Sequence, residues 1–296
     1  MGGDTANVAI SMAQQGFDID ILALVGDDHN GKTIRQTSND QGIGLDHFFT
    51  EPNTETGSSI LIYFHDQNAA IFTYRRANTC LTRYFIRSIF RTINWCTWAG
   101  CYVATNPDTC QLTDHIDEFL SVAHESDYLS LNKVETVALL SQLALSHNNS
   151  SNIHTIEMER TPLLMETGLH VGGFWLALKE AIEAIRHAGT TYFSLTDGTE
   201  CTYLFEDKTL FYCPSNDMTP WRTTGAEDAF ASTIAAQLVS GYGPERTLYA
   251  ATCSVVEHVD TQTGLLTAAA INQIAMDNPP SCYWVNEANR SLFISQ

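Results

Sequence analysis

The sequence predicts a protein of the α/β class, and three observations support this. A short apolar run, IDILALV at 19–25, is followed by the turn-rich GDDHNG and then by a helical pattern that ends near Gly42. Helical and extended patterns also alternate along the rest of the chain, which is typical of α/β proteins. The chain has 296 residues, 44% of them hydrophobic, which is enough to build a full core. We therefore expect a single domain over residues 1–296.

The N-terminal half contains the clearest helical pattern. We expect a helix from Thr5 to Gln15, capped by Asp4 or Thr5 and ended by Gly16, because four apolar residues share one helical stripe: Ala6, Ala9, Ile10 and Ala13. Residues 57–74 predict two β segments around the turn HDQN, which form a hairpin that projects from the main sheet. Short strands are expected near WCTWAGCYVAT at 95–105, and helices over 111–124 and 134–145.

The C-terminal half continues the alternation after a loop at NNSSN and a stretch, 153–172, that shows no clear period. We expect a helix over FWLALKEAIEAIRHAG, starting at Phe174, then a strand at TYFSL and a hairpin over TYLFEDKTLFYC. A further helix opens at TTGAEDAF, and two more helical patterns lie around 245–258 and 266–276.

Composition excludes several functions. Lys and Arg number 15 against 34 Asp and Glu, a net charge of −19, so the electrostatic term that drives binding to nucleic acids or anionic membranes is missing. The eight cysteines form no CxxC pair, which favours buried thiols in a reducing compartment. No basic leader and no apolar run of about 18 residues is visible. We expect a cytoplasmic protein without nucleic-acid or membrane partners.

Four segments together carry a family resemblance. GGDTANVAISMAQQG, followed by LVGDDHNGKTIRQTSNDQGI, resembles the first signature of the ribokinase-like PfkB carbohydrate kinases. TTGAEDAFASTIAAQLVSG resembles the second signature of that family, usually D-T-x-G-A-G-D and a helix. YRRANTCLT is similar to the segment that closes the sugar site, and LSLNKVETVALL to the N-x-x-E element. Four motifs in the family order outweigh one chance match.

The resemblance implies a ribokinase-like fold: a mostly parallel central sheet with helices on both faces and a small β lid, contributed here by about 57–76. It also implies an ATP-dependent kinase that uses Mg²⁺ to transfer the γ-phosphate to a hydroxymethyl group of a sugar, sugar acid or nucleoside. The expected partner is therefore a small molecule, with a homodimer through the β lid as the expected assembly.

The second signature supplies the expected catalytic residues. By resemblance, Asp228 is the base that accepts the proton of the substrate hydroxyl, and a carboxylate near a helix N-terminus is held ionised by the dipole. Gly225 and Ala226 would begin the helix, where free N–H groups bind anions, and Glu227 lies between them and the base. An ordinary first-turn Asp in a plain helix start is the alternative interpretation.

The first signature and the lid supply the expected substrate contacts. Gly2 and Gly3 would let a sugar approach the backbone, and the Asn7 amide can bind hydroxyl groups. Tyr74 and Arg75 lie where the lid returns to the sugar, and an arginine there would favour a sugar acid because it can grip a carboxylate with two hydrogen bonds. Asn7 on a helix surface and a surface Arg75 remain the alternatives.

The nucleotide and metal residues follow from the remaining motifs. Thr196, Gly198, Thr223 and Gly225 match the positions that bind ATP in relatives. Asn132 and Glu135 match the N-x-x-E element, which helps to organise Mg²⁺ through water. A capping asparagine followed by a solvated glutamate explains the same spacing equally well.

Several departures from the family pattern favour a second interpretation. Arg222 replaces the aspartate that opens the second signature, Glu227 replaces its second glycine, and Thr196 stands where a glycine is usual. The strand and sugar-binding aspartate that precede the GG motif in relatives are also expected to be missing. The alternative is a catalytically impaired family member that binds a sugar, a nucleotide or a protein partner.

Overall fold

The computed structural model describes residues 4–63, 69–80, 102–143, 163–190, 192–198, 200–206, 209–214, 225–261, 268–277 and 283–285. Two compact units are distinguished. The first contains Met1–Cys101, Thr219–Ala236 and Ser254–Gln273, and the second contains Tyr102–Met218, Gln237–Cys253 and Ile274–Gln296. The prediction of a single domain stays a prediction.

The first unit begins with α1, and its elements along residues 4–80 are α1 (Asp4–Gln14), β1 (Ala23–Gly26), α2 (His29–Asp40), β2 (Phe48–Glu51), β3 (Ser58–Tyr63), β4 (Ala69–Tyr74) and a 3₁₀ helix (Arg76–Cys80). β1 and β2 pair in parallel, and β3 and β4 form an antiparallel hairpin, the predicted lid. The turn HDQN of that hairpin lies outside the described residues. The sequence analysis did not predict β2, and β1 is shorter than the predicted strand.

Apolar side chains from α1, β1 and β2 form the core of the first unit. Ala9, Val25 and Phe48 are buried together, and Ile10 and Ala13 pack against them. The predicted apolar stripe of α1 is therefore confirmed as the buried face of the helix, which fixes the orientation of its polar side chains.

The loop between β1 and α2 anchors the lid. Asp28 caps α2 by accepting a hydrogen bond from the Gly31 N–H at 2.8 Å, and it also accepts from the Thr56 hydroxyl at 2.5 Å and the Thr56 N–H at 3.0 Å. These bonds, with the Thr56 hydroxyl contributing most, lower the pKa of Asp28 to about 2. At the same base of the hairpin, Glu55 before β3 forms an ion pair with Arg76 after β4 at 3.0 Å. The base of the lid, where the chain enters and leaves it, is thus fixed in the first unit.

The second unit is built on a larger sheet, and the remaining elements are β5 (Ala104–Thr105), α3 (Thr109–Asp114), α4 (Ile116–Ala123), β6 (Tyr128–Asn132), α5 (Lys133–Gln142), α6 (Leu163–Thr167), β7 (Leu169–Val171), β8 (Phe174–Leu176), α7 (Leu178–His187), β9 (Tyr192–Asp197), β10 (Cys201–Glu206), β11 (Thr209–Pro214), α8 (Ala226–Val239), α9 (Pro244–Thr261), α10 (Ala268–Asp277) and β12 (Tyr283–Val285). The division between the units falls inside α8, α9 and α10.

The sheet of the second unit is mixed. Its order is β12-β11-β10-β9-β6-β5, with β5, β6 and β9 parallel and the other pairings antiparallel. One face of it is apolar: Leu131 and Leu195 are buried there, and the rings of Phe193 and Phe205 stack with centroids 4.2 Å apart. Parallel strands flanked by helices confirm the α/β class.

Two predicted elements differ in the structure. The helix expected from Phe174 is wrong in its first turn, because Phe174–Leu176 pairs with Leu169–Val171 as a hairpin and α7 begins only at Leu178. Gly172 and Gly173 make the turn, with φ of 56° and 95° that few other residues adopt. The helical pattern over 111–124 is divided at His115 into α3 and α4.

Other predictions lie partly outside the described residues. The pattern at 95–105 is represented by β5 alone, since 95–101 is not described, and the stretches 144–162 and 215–224 also lie outside. Among the described residues, no helix has the length and apolar character needed to cross a membrane.

Candidate active site

Two helix starts from the first and second signatures meet in the first unit. The Asn7 side-chain amide on α1 donates a hydrogen bond of 2.8 Å to a carboxylate oxygen of Asp228 on α8, across a sequence separation of 221 residues. One helical turn further along both helices, the Ser232 hydroxyl donates to the Ser11 hydroxyl at 2.7 Å. Asp228 is only 5% exposed. The two contacts fix the register of α1 against α8 and hold the carboxylate in place.

The start of α8 combines a glycine turn with two acidic residues. Gly225 has φ of 84°, and its carbonyl accepts the Ala229 N–H at 3.0 Å, so the helix begins at Ala226. The N–H groups of a first helical turn have no partner within the helix and attract anions. Glu227 is exposed whereas Asp228 is buried, because consecutive helical residues point in different directions. The glutamate therefore faces solvent.

In the second unit, a group of polar residues lies where the parallel strands β6 and β9 end. Asn132, the last residue of β6, pairs in register with Thr196 of β9. Gly198 follows β9 with φ of 56°, and a side chain there would meet no atom within 4 Å. The carboxyl ends of parallel strands are the usual position of ligand sites in α/β folds. The structure thus brings the predicted metal and nucleotide residues of this unit to one edge of the sheet.

The N-x-x-E element forms a capping box at the start of α5. The Asn132 side chain accepts from the Glu135 N–H at 2.9 Å, and the Glu135 carboxylate accepts from the Asn132 N–H at 2.9 Å. The capping role considered for Asn132 is confirmed, but Glu135 is buried rather than solvated. One carboxylate oxygen is thus committed to the cap.

An ion pair that was not predicted from the sequence lies beside this capping box. The Lys133 ammonium lies 2.8 Å from one carboxylate oxygen of Asp197, the last residue of β9. The other oxygen of Asp197 is buried without a hydrogen-bond partner. In the sequence, Lys133 directly follows β6 and Asp197 ends β9. These two residues become neighbours only because β6 pairs with β9.

The remaining predicted residues lie either on the lid or outside the described part of the chain. Tyr74 and Arg75 are exposed at the end of the lid, where the Arg76 guanidinium lies 5.3 Å from the centre of the Tyr74 ring. Gly2, Gly3 and Thr223 lie outside the described residues, as does Arg222, so the geometry of these predictions is not described.

Within the described residues, a magnesium ion fits only as an ion held largely by substrate. Among the described residues, no group of three His, Cys, Asp or Glu side chains could hold a metal ion. Mg²⁺ typically keeps several waters and takes one or two protein carboxylates together with phosphate oxygens. The buried Glu135 carboxylate, with Asn132 beside it, suits that limited role.

Solved structures identify the class of the fold. An E. coli protein assigned as a ribokinase II, crystallised with ATP and Mg²⁺, superposes with a TM-score of 0.70 at 14% identity, covering 94% of this chain and 89% of that one. Ribokinase from Cryptococcus neoformans var. grubii serotype A in complex with ADP gives 0.67 at 18% identity, covering 92% and 88%. A nucleoside kinase from Methanocaldococcus jannaschii gives 0.67 at 15% identity, covering 94% and 87%. The ribokinase-like α/β fold is confirmed.

The family follows from the sequence. The profile of the pfkB family carbohydrate kinases matches residues 1–267, which is most of the chain. The chain belongs to this family, as the four motifs predicted. No curated protein sequence matches the chain.

Proposed function

We propose that this protein is an ATP-dependent carbohydrate kinase that transfers the γ-phosphate to a hydroxymethyl group of a sugar or sugar acid. The hydrogen bond from Asn7 to Asp228 is the observation that carries the proposal. It joins the two signatures at a buried carboxylate, and a base for this reaction has to be held in one position.

In this proposal, Asp228 accepts the proton of the substrate hydroxyl as the oxygen attacks phosphorus. Gly225 and Ala226 offer backbone N–H groups to the transferred phosphoryl group, whose charge is stabilised mainly by positioned donors. In the second unit, Asn132 and Glu135 would hold Mg²⁺ through water, and the ion would supply positive charge to the phosphates of the nucleotide. By resemblance, Gly2, Gly3 and Asn7 are the residues proposed to contact the sugar.

In the second unit, Thr196 and Gly198 at the end of β9 are the residues proposed to bind the nucleotide. By resemblance, Thr223 and Gly225 of the second signature are the candidates from the first unit. The open space around Gly198 supports the assignment of Gly198, because no side chain blocks the turn that follows the strand. The five cysteines described here are free thiols, which suits a cytoplasmic protein.

A sugar acid is the substrate class favoured by Arg75, which is exposed on the lid next to Tyr74. Arg75→Ala should raise KM for sugar acids more than for neutral sugars, because only an acid offers a carboxylate to the guanidinium. Lys32→Ala, which removes an exposed positive charge on α2, is the control. Equal changes of KM for both substrate classes contradict the preference.

The lid also supports a homodimer. Ile60 and Phe72 are directly opposed on β3 and β4 and are 62% and 56% exposed, and Ile62 and Tyr74 lie on the same face of the hairpin. An exposed apolar face of this kind is typical of an interface. Phe72→Asp should yield a monomer by sedimentation, whereas Val122→Asp on α4 should leave the mass unchanged; equal masses for wild type and Phe72→Asp contradict this interface.

Ligand-dependent thermal stability tests the proposed function. A ligand that binds only the folded protein raises the melting temperature, so ATP with Mg²⁺ and one member of a panel of sugars and sugar acids should each do so. Turnover with that pair then establishes the kinase. A shift with a sugar and none with nucleotide would instead support the alternative, a catalytically impaired binding protein.

A further inference from the structure

We propose that Lys133 binds the phosphates of the nucleotide and that Asp197 is the positioning residue that holds Lys133 for this purpose. The inference deepens the proposed function and rests on it. Both residues lie within or beside the predicted motifs, but neither was among the site residues predicted from the sequence.

The ion pair is asymmetric in its exposure. The Lys133 side chain is 43% exposed, whereas the Asp197 side chain is 7% exposed, with the ammonium 2.8 Å from the nearer carboxylate oxygen. A buried carboxylate is costly unless a cation compensates it. Asp197 therefore keeps the Lys133 ammonium close to it, which restricts the otherwise flexible lysine side chain.

The ammonium keeps hydrogen-bonding capacity for a ligand. A lysine has three N–H donors, and the contact with Asp197 uses one of them. The Lys133 side chain is 43% exposed, so a ligand can reach the ammonium. The second oxygen of Asp197 is buried without a hydrogen-bond partner, which increases the importance of the Lys133 ammonium as the compensating cation of this carboxylate.

The position of Lys133 favours an anionic ligand. It is the first residue of α5, where the helix dipole adds positive potential, and it follows Asn132 at the carboxyl end of β6. Thr196 lies in register with Asn132, and the turn at Gly198 is open. In a protein of net charge −19, a fixed cation at this edge is the kind of group that a polyphosphate needs.

Calorimetric titration with ATP·Mg²⁺ and with adenosine tests the inference. Lys133→Met should weaken ATP binding by about tenfold or more, as expected for loss of a charge-assisted hydrogen bond, and should leave adenosine binding unchanged. Lys179→Met removes the same charge from the exposed Lys179–Glu183 pair on α7 and should leave ATP affinity within about twofold of wild type. Equal ATP affinities for Lys133→Met and Lys179→Met would overturn the proposal.

Removal of Lys133 alone leaves Asp197 buried and uncompensated, so a second variant protects the test from misfolding. Lys133→Met/Asp197→Asn removes both charges and should still lose ATP affinity by about tenfold, because the phosphate donor is gone. A double variant that binds ATP like wild type would show that the ion pair only stabilises the fold.

Asp197→Asn with Lys133 retained tests the positioning role. We expect a smaller loss of ATP affinity, with adenosine binding unchanged. Without the ion pair, the Lys133 side chain loses conformational entropy when ATP binds. Tighter ATP binding would overturn this part. Wild-type protein that binds no ATP would refute the proposed function itself, which is a different result from normal ATP binding by every Lys133 variant.

Discussion

Two helices of this protein begin with a family motif, and their motif side chains behave differently. At the start of α5, Asn132 and Glu135 bond to each other's backbone N–H groups within four consecutive residues. At the start of α8, Asp228 accepts a hydrogen bond from Asn7, which is 221 residues away in sequence. One motif stabilises its own helix, whereas the other joins two distant segments.

The difference shows which of the two motifs is explained by local helix stability and which is not. A capping box satisfies donors that any helix start leaves open, so its residues are explained without a ligand. A buried carboxylate that is held by a distant amide has no such local reason. Asp228 is therefore the stronger candidate for chemistry, and Asn132 and Glu135 depend on what else binds near them.

The largest expected effect is at Asp228. Asp228→Asn should lower kcat by about 10²–10⁴, because an amide cannot accept the substrate proton. Glu245→Gln, at an exposed carboxylate in the first turn of α9, is the control, and circular dichroism establishes that both variants are folded. An unchanged kcat in Asp228→Asn would remove this residue from the mechanism and with it the contrast between the two helix starts.

Asn7 tests whether the long-range contact holds the base. Asn7→Ala should lower kcat and should also lower the free energy of unfolding by about 1–3 kcal/mol, because the buried, charged acceptor Asp228 loses one of its hydrogen bonds. Asn39→Ala, at an exposed asparagine of α2, should change neither. Denaturant unfolding and steady-state kinetics measure the two effects. A higher KM with unchanged kcat and stability would make Asn7 a substrate contact only.

Glu227 should have a smaller effect, because its side chain is exposed. At about 5 Å from a phosphate and in a water-like dielectric, a carboxylate repels it by about 1 kcal/mol, so Glu227→Gly should tighten ATP binding roughly fivefold. Glu227→Gln removes the charge but keeps a side chain, so it separates the effect of the charge from the effect of glycine on the backbone. Glu245→Gln in the first turn of α9 is the control. Weaker ATP binding across a Mg²⁺ series would mean that the glutamate binds the metal.

Asp28 combines the two behaviours, since it caps its own helix and also binds Thr56, 28 residues away. Its pKa of about 2 is below the value of about 3.9 for an unfolded chain. Its contribution to stability is therefore complete above about pH 4 and is lost as the pH falls towards 2. The melting temperatures of wild type and Asp28→Asn should differ at pH 6 and converge near pH 2. A difference independent of pH would assign the stabilisation to something other than the ionised carboxylate.

Much of the fold could be predicted because its signals are local. The helical stripe of α1, the lid hairpin and the hairpin of β10 and β11 each follow from a repeating pattern of apolar residues. The failures were short elements. β2 and β8 have four and three residues, too few to show a period, and they are strands because a neighbouring strand supplies their hydrogen bonds.

The sequence by itself determined the family and the class of fold, because four motifs in a fixed order are a property of the chain. Tertiary structure alone decided which motif residues meet. It turned Glu227 to solvent and Asp228 towards Asn7, and it set Lys133 beside Asp197 through the pairing of β6 with β9. The physical reason is that burial and ion pairing depend on the packing of segments far apart in sequence, which no local pattern records.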